Sequence, residues 1–251
     1  MRRSSHRSIR KPTDNNTRSY TLVPLGDKAV LVDFCETLDL EANIHIQRVA
    51  KAIQLRRPPW LLDVVPALGS LAIHADRAKL ASGEALPAAC EVLLSQCLAR
   101  ELPDLDQLGR VVELPVCYEG DLAPDMEDVA KRCNLAVEEV IRRHVASLHR
   151  VLMVGFVPGH PYIGGSDPGL SVPRRATPRQ RVTAGSVAIA NCQTVVYPFA
   201  SPSGWSIVGR TCERIFDPTW PQPALMAPGD RVRFVPIGRQ EFDQRWRERE
   251  R

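Results

Sequence analysis

Proline and glycine are distributed unevenly along this chain, and their distribution limits the folds open to it. Residues 1–112 contain 7 Pro and 4 Gly, whereas residues 113–251 contain 14 Pro and 11 Gly. Both residue types interrupt helices and mark turns, so the second region is predicted to consist mainly of short strands. The composition therefore predicts two domains, residues 21–108 and residues 109–238. They lie between a disordered basic tail at residues 1–20 and a charged C-terminal tail at residues 239–251.

The first domain alternates strand-like and helix-like patterns. Residues 40–57 and 86–102 repeat apolar side chains at helical spacing, and Pro58-Pro59 ends the first of these helices. Short apolar runs typical of strands lie at 28–34, 61–65, 70–75 and 111–118. The order β-α-β-β-α-β is that of a ferredoxin-like sandwich, which we predict for the N-terminal domain.

The second domain begins with helical patterns at 124–133 and 137–148. Short apolar runs between Pro and Gly turns then follow at 151–156, 186–190, 194–199, 205–210 and 231–237. Repeated short strands without further helices predict an antiparallel barrel or sandwich.

The net charge of the chain is concentrated at its N-terminus. Residues 1–20 contain six basic residues and one acidic residue, so the formal charge of +4 leaves the remaining 231 residues at −1. This distribution gives no argument for binding nucleic acid or a membrane. The N-terminus also lacks the apolar segment of a secretory signal. Seven scattered cysteines without zinc-site spacing predict reduced thiols in a cytoplasmic protein and no metal site.

The segments richest in Gly and Pro lie in the second domain. They are GFVPGHPYIGG (155–165), VPRRATPRQRVTAGSVAIANCQTVVYP (172–198), SPSGWSIVGRT (201–211) and LMAPGDRVRFVPI (225–237). Glycine lets a backbone approach a ligand closely, so these segments predict either a binding site or tight barrel corners. The sequence contains no phosphate loop, dinucleotide fingerprint, HExxH motif or GxSxG elbow.

With these segments, the sequence resembles the family of the B subunit of the bacterial 5-oxoprolinase complex. The family is also known as the Kip inhibitor of a sporulation kinase and as allophanate hydrolase subunit 1. The resemblance extends back through PVCYEG (115–120) and EEVIRRH (138–144), and covers nearly everything from Tyr20 to Ile237. It implies a cyclophilin-like β-barrel, so the predicted fold class is α+β, with a ferredoxin-like domain followed by a cyclophilin-like antiparallel barrel.

The resemblance also implies a function. Members of the family take part in the ATP-dependent opening of 5-oxoproline to glutamate, and their partners are a carboxyltransferase-like C subunit and an amidohydrolase-like A subunit. ATP is implied by the resemblance alone, and the substrate is a small amide or lactam. Two alternatives stay open: a protein that handles allophanate or another urea-derived amide, and a non-catalytic inhibitor that binds a sensor histidine kinase.

Three signature loops differ from the family pattern. His160 stands where the family has Phe in G-F-P-Y, Asn191 stands for Gly in A-G-x-Q, and Ser203 stands for Gly in S-P-G-G-W. Changes inside signature loops are typical of a relative with an altered substrate.

Two histidines are candidate catalytic residues. His160 lies between Gly159 and Pro161 in a predicted loop, where its imidazole can serve as an acid or base. His144 matches a family histidine at the end of a predicted helix, a position that is also typical of a structural histidine.

Four arginines, at 174, 175, 179 and 181, lie within eight residues. Guanidinium groups suit carboxylates and phosphates, so Arg179 is a candidate catalytic residue and Arg174 a candidate substrate ligand. Both match PR pairs of the family. The alternative is a solvated or partner-facing loop.

The remaining candidates for substrate binding lie in the signature segments. Gln193, Tyr197 and Trp205 combine an apolar body with a polar tip, which suits the orientation of a small ring, although aromatic residues on strands more often form a core. The hydroxyl of Ser186 is expected to satisfy a turn or to bind a ligand oxygen. Tyr162 and Arg210 complete the predicted set.

Overall fold

The computed structural model describes residues 19–35 and 39–249. The chain forms two compact units, Met1–Leu108 and Gly109–Arg251. The prediction of a disordered tail concerns residues that lie almost entirely outside the described part. Among the described residues, no helix is long and apolar enough to cross a membrane.

The first unit is an antiparallel sheet with two long helices packed on one face. Its elements are β1 (Thr21–Leu25), β2 (Ala29–Asp33), α1 (Leu40–Arg56), β3 (Leu61–Pro66), β4 (Ser70–Ala75), α2 (Leu86–Leu98) and α3 (Leu105–Leu108). The strand order is β1-β2-β4-β3, and every pairing is antiparallel. The buried core includes Ile46, Ile53, Leu71, Ile73 and Leu94.

The boundaries of α1 follow from local chemistry. The side chain of Asp39 accepts a hydrogen bond of 3.0 Å from the backbone N–H of Glu41, which caps the first turn. Arg57 takes a left-handed conformation with φ of 39°, and Pro58 follows it. Proline cannot continue the helical hydrogen bonding, so the helix ends there.

The ferredoxin-like arrangement predicted for this unit is not confirmed. The fourth strand of the sheet is β1, which forms a hairpin with β2. The run at 111–118, which was expected to complete the β-α-β-β-α-β order, forms a strand of the second unit instead.

The second unit contains a closed seven-stranded barrel. The barrel strands are β5 (Val111–Cys117), β6 (His149–Val154), β7 (Pro161–Gly164), β9 (Ser186–Ala190), β10 (Gln193–Val196), β12 (Ser206–Thr211) and β13 (Arg231–Pro236). A separate two-stranded sheet pairs β8 (Arg179–Val182) with β11 (Ser201–Ser203). The helices are α4 (Met126–Cys133), α5 (Val137–Ala146) and α6 (Arg239–Arg249).

The barrel closes in the order β10-β7-β6-β13-β5-β12-β9. Six of its pairings are antiparallel, but β13 lies parallel to β5, with Arg231 opposite Val111 and Pro236 opposite Val116. The predicted barrel is therefore confirmed, whereas its wholly antiparallel character is wrong at this pair. The first and last strands of the barrel run in the same direction and meet as neighbours.

Alternation along the strands separates the inner face of the barrel from the outer face. On β9, Val187 and Ile189 belong to the main core of the barrel. Ala188 and Ala190 belong to a second cluster on the outer face, which also includes Val182 of β8. The β8–β11 sheet therefore packs on the outer face of the barrel and buries side chains there.

Candidate functional site

Four ring side chains meet on the outer face of the barrel. The ring of His160 contacts those of Tyr162 and Tyr197 edge-on, with centroids 5.2 and 4.9 Å away. Tyr162 in turn contacts Trp205, with centroids 6.1 Å apart. We call His160, Tyr162, Tyr197 and Trp205 the aromatic face. All four were candidates from sequence, and the fold brings them together.

Strand register places Gln193 on the same side of the barrel. Tyr162 of β7 lies opposite Val195 of β10, and Gln193 is two residues from Val195, so both lie on one face of the strand. Gln193 is 7% exposed. Its Nε2 is buried and has no hydrogen-bond partner among the described residues. A buried amide without an acceptor is costly, and it marks a place where a ligand oxygen would be stabilised.

His160 is buried next to β10, the strand that carries Gln193. Its side chain is 2% exposed, and its Nδ1 has no hydrogen-bond partner among the described residues. Burial lowers the pKa of His160 to about 4, because the charged imidazolium loses its hydration. The ring is therefore neutral near pH 7, and it is a weaker base than an exposed histidine.

Arg174 supplies a positive charge at the edge of the aromatic face. Its guanidinium carbon lies 5.6 Å from the centroid of the Trp205 ring. The side chain is exposed and makes no hydrogen bond or ion pair with the described part of the chain. Burial raises the pKa of the nearby Tyr162, and Arg174 opposes this effect. Tyr162 therefore keeps its proton and can donate a hydrogen bond next to a free cation.

Ser203 links two members of the aromatic face. Its hydroxyl accepts a hydrogen bond of 3.0 Å from the backbone N–H of Trp205 and shares one of 2.7 Å with the hydroxyl of Tyr197. The departure of Ser203 from the family glycine thus introduces a buried hydroxyl that fixes the position of the Tyr197 ring.

The departure at Asn191 has a conformational explanation. Asn191 and Cys192 connect β9 to β10 as a two-residue hairpin, and their φ values are 50° and 60°. Positive φ at both positions is typical of a type I′ turn, which glycine and asparagine tolerate best. Asparagine can therefore replace the family glycine without changing the turn.

The carboxylate of Asp125 binds two arginines of the segment from 174 to 181. Its carboxylate is 4% exposed and accepts two hydrogen bonds of 2.7 Å from Arg179 and one of 2.6 Å from Arg175. It also accepts a hydrogen bond of 2.8 Å from the backbone N–H of Ile207 on β12. Both terminal nitrogens of Arg179 are thus engaged within the protein. The role of Arg179 in catalysis stays a prediction, and its observed contacts are those of a residue that anchors β8.

Sequence reasoning did not single out Asp125. The available signal was the segment from 174 to 181, which holds four arginines and no acidic residue, so its counter-charge had to come from elsewhere in the chain. No sequence pattern indicates that a carboxylate about fifty positions earlier supplies this counter-charge.

His144 lies in the barrel core and not on the aromatic face. It is 1% exposed, its Nδ1 shares a hydrogen bond of 2.9 Å with the hydroxyl of Tyr118, and its Nε2 shares one of 3.1 Å with Thr194. Its ring packs on Phe234, with centroids 4.4 Å apart. Burial, helped by the neighbouring His149, lowers its pKa to about 3. The fold does not bring this catalytic candidate together with His160.

Ser186 and Arg210 also make internal contacts. The hydroxyl of Ser186 is 3.2 Å from that of Thr183 within the turn before β9. The Nε of Arg210 donates to the carbonyl of Ala184, and its guanidinium stacks 4.2 Å from the centroid of Trp246 on α6. The expectation that Ser186 satisfies a turn matches this contact, while its binding to substrate stays a prediction, as it does for Arg210.

A cavity of about 630 Å³ lies elsewhere in the second unit. Its lining is Cys212, Glu213, Arg214, Trp220, Leu225, Arg245, Glu248 and Arg249. None of the candidate residues lines it. The described residues also contain no group of three or more His, Cys, Asp or Glu side chains that could hold a metal ion.

The sequence matches a known protein family over most of its length. Residues 20–226 match the family described as "Carboxyltransferase domain, subdomain C and D". This chain belongs to that family. It is 36% identical to the 5-oxoprolinase B subunit of Bacillus subtilis over 231 residues, which are 90% of this chain and 96% of the relative. It is 37% identical to the 5-oxoprolinase B subunit of Haemophilus influenzae, over 86% of this chain and 98% of the relative.

Solved structures share the fold. TTHA0988 has 37% sequence identity and a TM-score of 0.70, over 84% of this chain but only 40% of that longer chain. The urea carboxylase of Kluyveromyces lactis has a TM-score of 0.70 over 94% of this chain and 23% of its own length. With 19% sequence identity, this second likeness concerns the fold alone and adds no support to the urea-derived alternative.

Proposed function

We propose that this chain is the B subunit of a 5-oxoprolinase, a complex that uses ATP to open the lactam ring of 5-oxoproline to glutamate. The observation that carries the proposal is the free guanidinium of Arg174 at the edge of the aromatic face. 5-Oxoproline is a small lactam ring with one carboxylate, so it needs a cation next to a mostly apolar surface with a few polar tips. The names of the two curated relatives support the same activity.

The substrate would be held by complementary groups. Arg174 would take the carboxylate through two parallel N–H donors, as guanidinium groups do. Tyr162, whose phenol is protonated near pH 7 and whose pKa burial raises further, would donate a hydrogen bond to the ring carbonyl. The unpartnered amide of Gln193 is a second donor for a substrate oxygen. The ring of Trp205 holds the guanidinium of Arg174 in place through a cation–π contact.

His160 would orient the substrate and not transfer protons. A general base works best with a pKa near the working pH, and the pKa of His160 is about 4. Its neutral Nδ1 has no described partner and can accept a hydrogen bond from the lactam N–H. We assign Arg179 and His144 to structural positions, because described contacts occupy the terminal nitrogens of Arg179 and both ring nitrogens of His144.

ATP enters this proposal through the family resemblance. Phosphorylation of the amide oxygen would make the ring carbon easier to attack, which is the chemistry that ATP supplies when bound. In this chain, Arg175 and Arg179 are engaged with Asp125, and Arg174 is assigned to the carboxylate. Too few free cations then remain in the arginine segment for a triphosphate. We therefore place the nucleotide on a partner protein or at its junction with this chain.

The proposed partners are a carboxyltransferase-like C subunit and an amidohydrolase-like A subunit. The matched structure TTHA0988 supports a need for partners, because a chain of this size covers only 40% of it. We place the complex in the cytoplasm, where the seven free cysteines would stay reduced.

The test combines the purified chain with the A and C subunits encoded by the same genome. We expect glutamate formation and ATP hydrolysis that 5-oxoproline stimulates. Arg174→Ala should raise the KM for 5-oxoproline by about 10- to 100-fold, the usual value of a hydrogen-bonded charge pair, with a smaller effect on kcat.

The matched control is Arg181→Ala, since Arg181 is an exposed arginine of the same segment. It should leave the KM unchanged. Absence of stimulated turnover in the complete wild-type complex would overturn the proposed activity. A normal KM in Arg174→Ala would instead overturn the proposed substrate site while leaving the activity in place.

A further inference from the structure

Phe156 is a large apolar side chain in an unfavourable conformation and an unfavourable environment. It is 65% exposed. Its φ is 72°, in the left-handed region that bulky residues rarely adopt. The loop around it is fixed by two backbone hydrogen bonds, from Gly155 to the carbonyl of His160 and from His160 to the carbonyl of Val157. Strained residues of this kind are concentrated at binding sites and clamps.

Two more phenylalanines lie close to this loop. Phe199 is 41% exposed, and its ring contacts Phe216 with centroids 5.7 Å apart. Phe216 packs against Gly159, where a Cβ atom would approach the Cβ of Phe216 to 2.7 Å and its ring to 2.8 Å. We call Phe156, Phe199 and Phe216 the aromatic rim. The loop that carries Phe156 thus bridges to the other two rings through Gly159.

The aromatic rim borders the candidate site. The rings of Phe156 and His160 lie 5.5 Å apart, and His160 contacts Tyr197 of the aromatic face. A protein that covers the rim would therefore also cover the side of the site formed by His160. Water would then be excluded from the substrate, which strengthens hydrogen bonds and ion pairs within the site.

The chain around Phe156 and Phe199 carries no charge over long stretches, and the charges of Arg214 and Asp217 beside Phe216 are paired with each other. Residues 155–164 and 191–205 contain no Asp, Glu, Lys or Arg. Uncharged surface with exposed aromatic rings is typical of the centre of a protein–protein interface and not of its polar edge. A small charged ligand would find no counter-charge within these two stretches.

The family description and the length of TTHA0988 bear on which protein covers the rim. Residues 20–226 match subdomains C and D of a carboxyltransferase domain, so they represent part of a larger unit. This chain matches 40% of TTHA0988, so in that protein the same module is joined to a larger remainder. A surface buried against that remainder would be exposed when the module is a separate chain. We propose that the aromatic rim is the docking surface for the separately encoded C subunit, which closes the candidate site on docking. This inference rests on the proposed function, which gives the chain that partner.

The test measures binding of the purified C subunit from the same genome to this chain by titration calorimetry. The variant Phe156→Gly, Phe199→Ser removes both exposed rings. Glycine accepts the positive φ at position 156, so folding should be preserved, and circular dichroism and the unfolding midpoint would verify this. We expect the dissociation constant to rise by at least about 10-fold, as for central aromatic anchors.

The control variant is Leu55→Ser, which replaces a side chain of similar exposure, 66%, on α1. It should bind like the wild type. Wild-type affinity of the folded double variant for the C subunit would overturn the docking proposal. A wild-type chain that forms dimers dispersed by the double variant would also overturn it in favour of a second copy. If the wild type fails to bind the C subunit at all, the proposed function is what fails.

Discussion

Asp125 and Arg179 are separated by 54 positions in the sequence and are joined by two parallel hydrogen bonds of 2.7 Å each. The carboxylate is 4% exposed, whereas the guanidinium is 28% exposed. Because Asp125 also accepts the backbone N–H of Ile207, this pair fastens the start of β8 to β12. The pair therefore sets the position of the segment that presents Arg174 above Trp205.

Asp125→Asn should destabilise the second unit. The amide cannot accept all the hydrogen bonds that Arg175, Arg179 and Ile207 donate, and the guanidinium groups lose their counter-charge. Removing one partner of a buried pair costs roughly 3–5 kcal/mol, and the partial exposure of the arginines lowers this to about 2–3 kcal/mol. Urea unfolding would measure it. Asp128→Asn, which breaks an exposed pair with Arg132, should change stability by less than about 0.5 kcal/mol. Equal effects of the two substitutions would contradict this account.

The stability of the protein should fall as the pH drops below about 6.5. Burial lowers the pKa values of His144, His149 and His160, to about 3 for His144 and about 4 for His160. The unfolded chain, with histidine pKa values near 6.5, then binds more protons than the folded chain, so protonation favours unfolding. Each histidine contributes up to about 1.4 kcal/mol per pH unit between its two pKa values. Unfolding midpoints at pH 7.5 and 5.0 would measure the loss.

The substitution His160→Phe isolates the contribution of His160 to the pH dependence of stability. Phenylalanine suits a site enclosed by Phe156, Tyr162 and Tyr197 and does not titrate. We expect stability near pH 7 to be maintained and the acid-induced loss between about pH 6.5 and 4 to decrease by the share of one histidine. An unchanged pH slope in urea titrations would show that His160 does not titrate as its burial requires.

Cys192→Gly should stabilise the hairpin between β9 and β10. Cys192 has φ of 60°, a conformation that costs a residue with a Cβ roughly 1–2 kcal/mol, and glycine at this position of a type I′ turn removes that cost. Glycine also makes the unfolded chain more flexible, so the net gain should be about 0.5–1 kcal/mol. Asn191→Gly is the matched control and should gain less, since asparagine tolerates positive φ. Thermal unfolding of both variants would decide, and a loss of stability in Cys192→Gly would contradict the turn assignment.

Two glycines with positive φ should respond differently to alanine. Gly185 has φ of 81°, and a Cβ there would overlap the carbonyl oxygen of Thr211. Gly26 has φ of 64° but no atom within 4 Å of the position of a Cβ. Gly26→Ala should therefore cost about 1 kcal/mol from backbone strain alone, and Gly185→Ala should cost at least about 3 kcal/mol. The difference between the urea midpoints of the two variants measures the cost of the steric clash at Gly185. Similar midpoints would show that this clash does not contribute.

Local chemistry explains which elements could be predicted from sequence. Helix α1 begins and ends close to the predicted bounds because Asp39 and Pro58 act on their own neighbours. Strand β1 was not predicted, since Pro24 interrupts its short TLVPL run. The parallel pairing of β5 with β13 joins residues 120 positions apart, and no local pattern encodes it.

In the candidate site, too, only features set by nearby residues could be predicted from sequence. The aromatic face could be predicted because its four residues lie in dense signature segments. Arg174 and Arg179 could not be told apart from sequence, since both follow proline in one arginine-rich segment. Their environments differ because Asp125, from a distant part of the chain, engages only one of them.

The neighbouring positions of β5 and β13 also constrain biosynthesis. The barrel cannot close until residues 231–236, which follow all the other barrel strands, have left the ribosome. Until then β5 and β6 each have an unpaired edge, which is a template for joining other chains. A polypeptide truncated shortly before Arg231 would keep every predicted site residue and still be prone to aggregate.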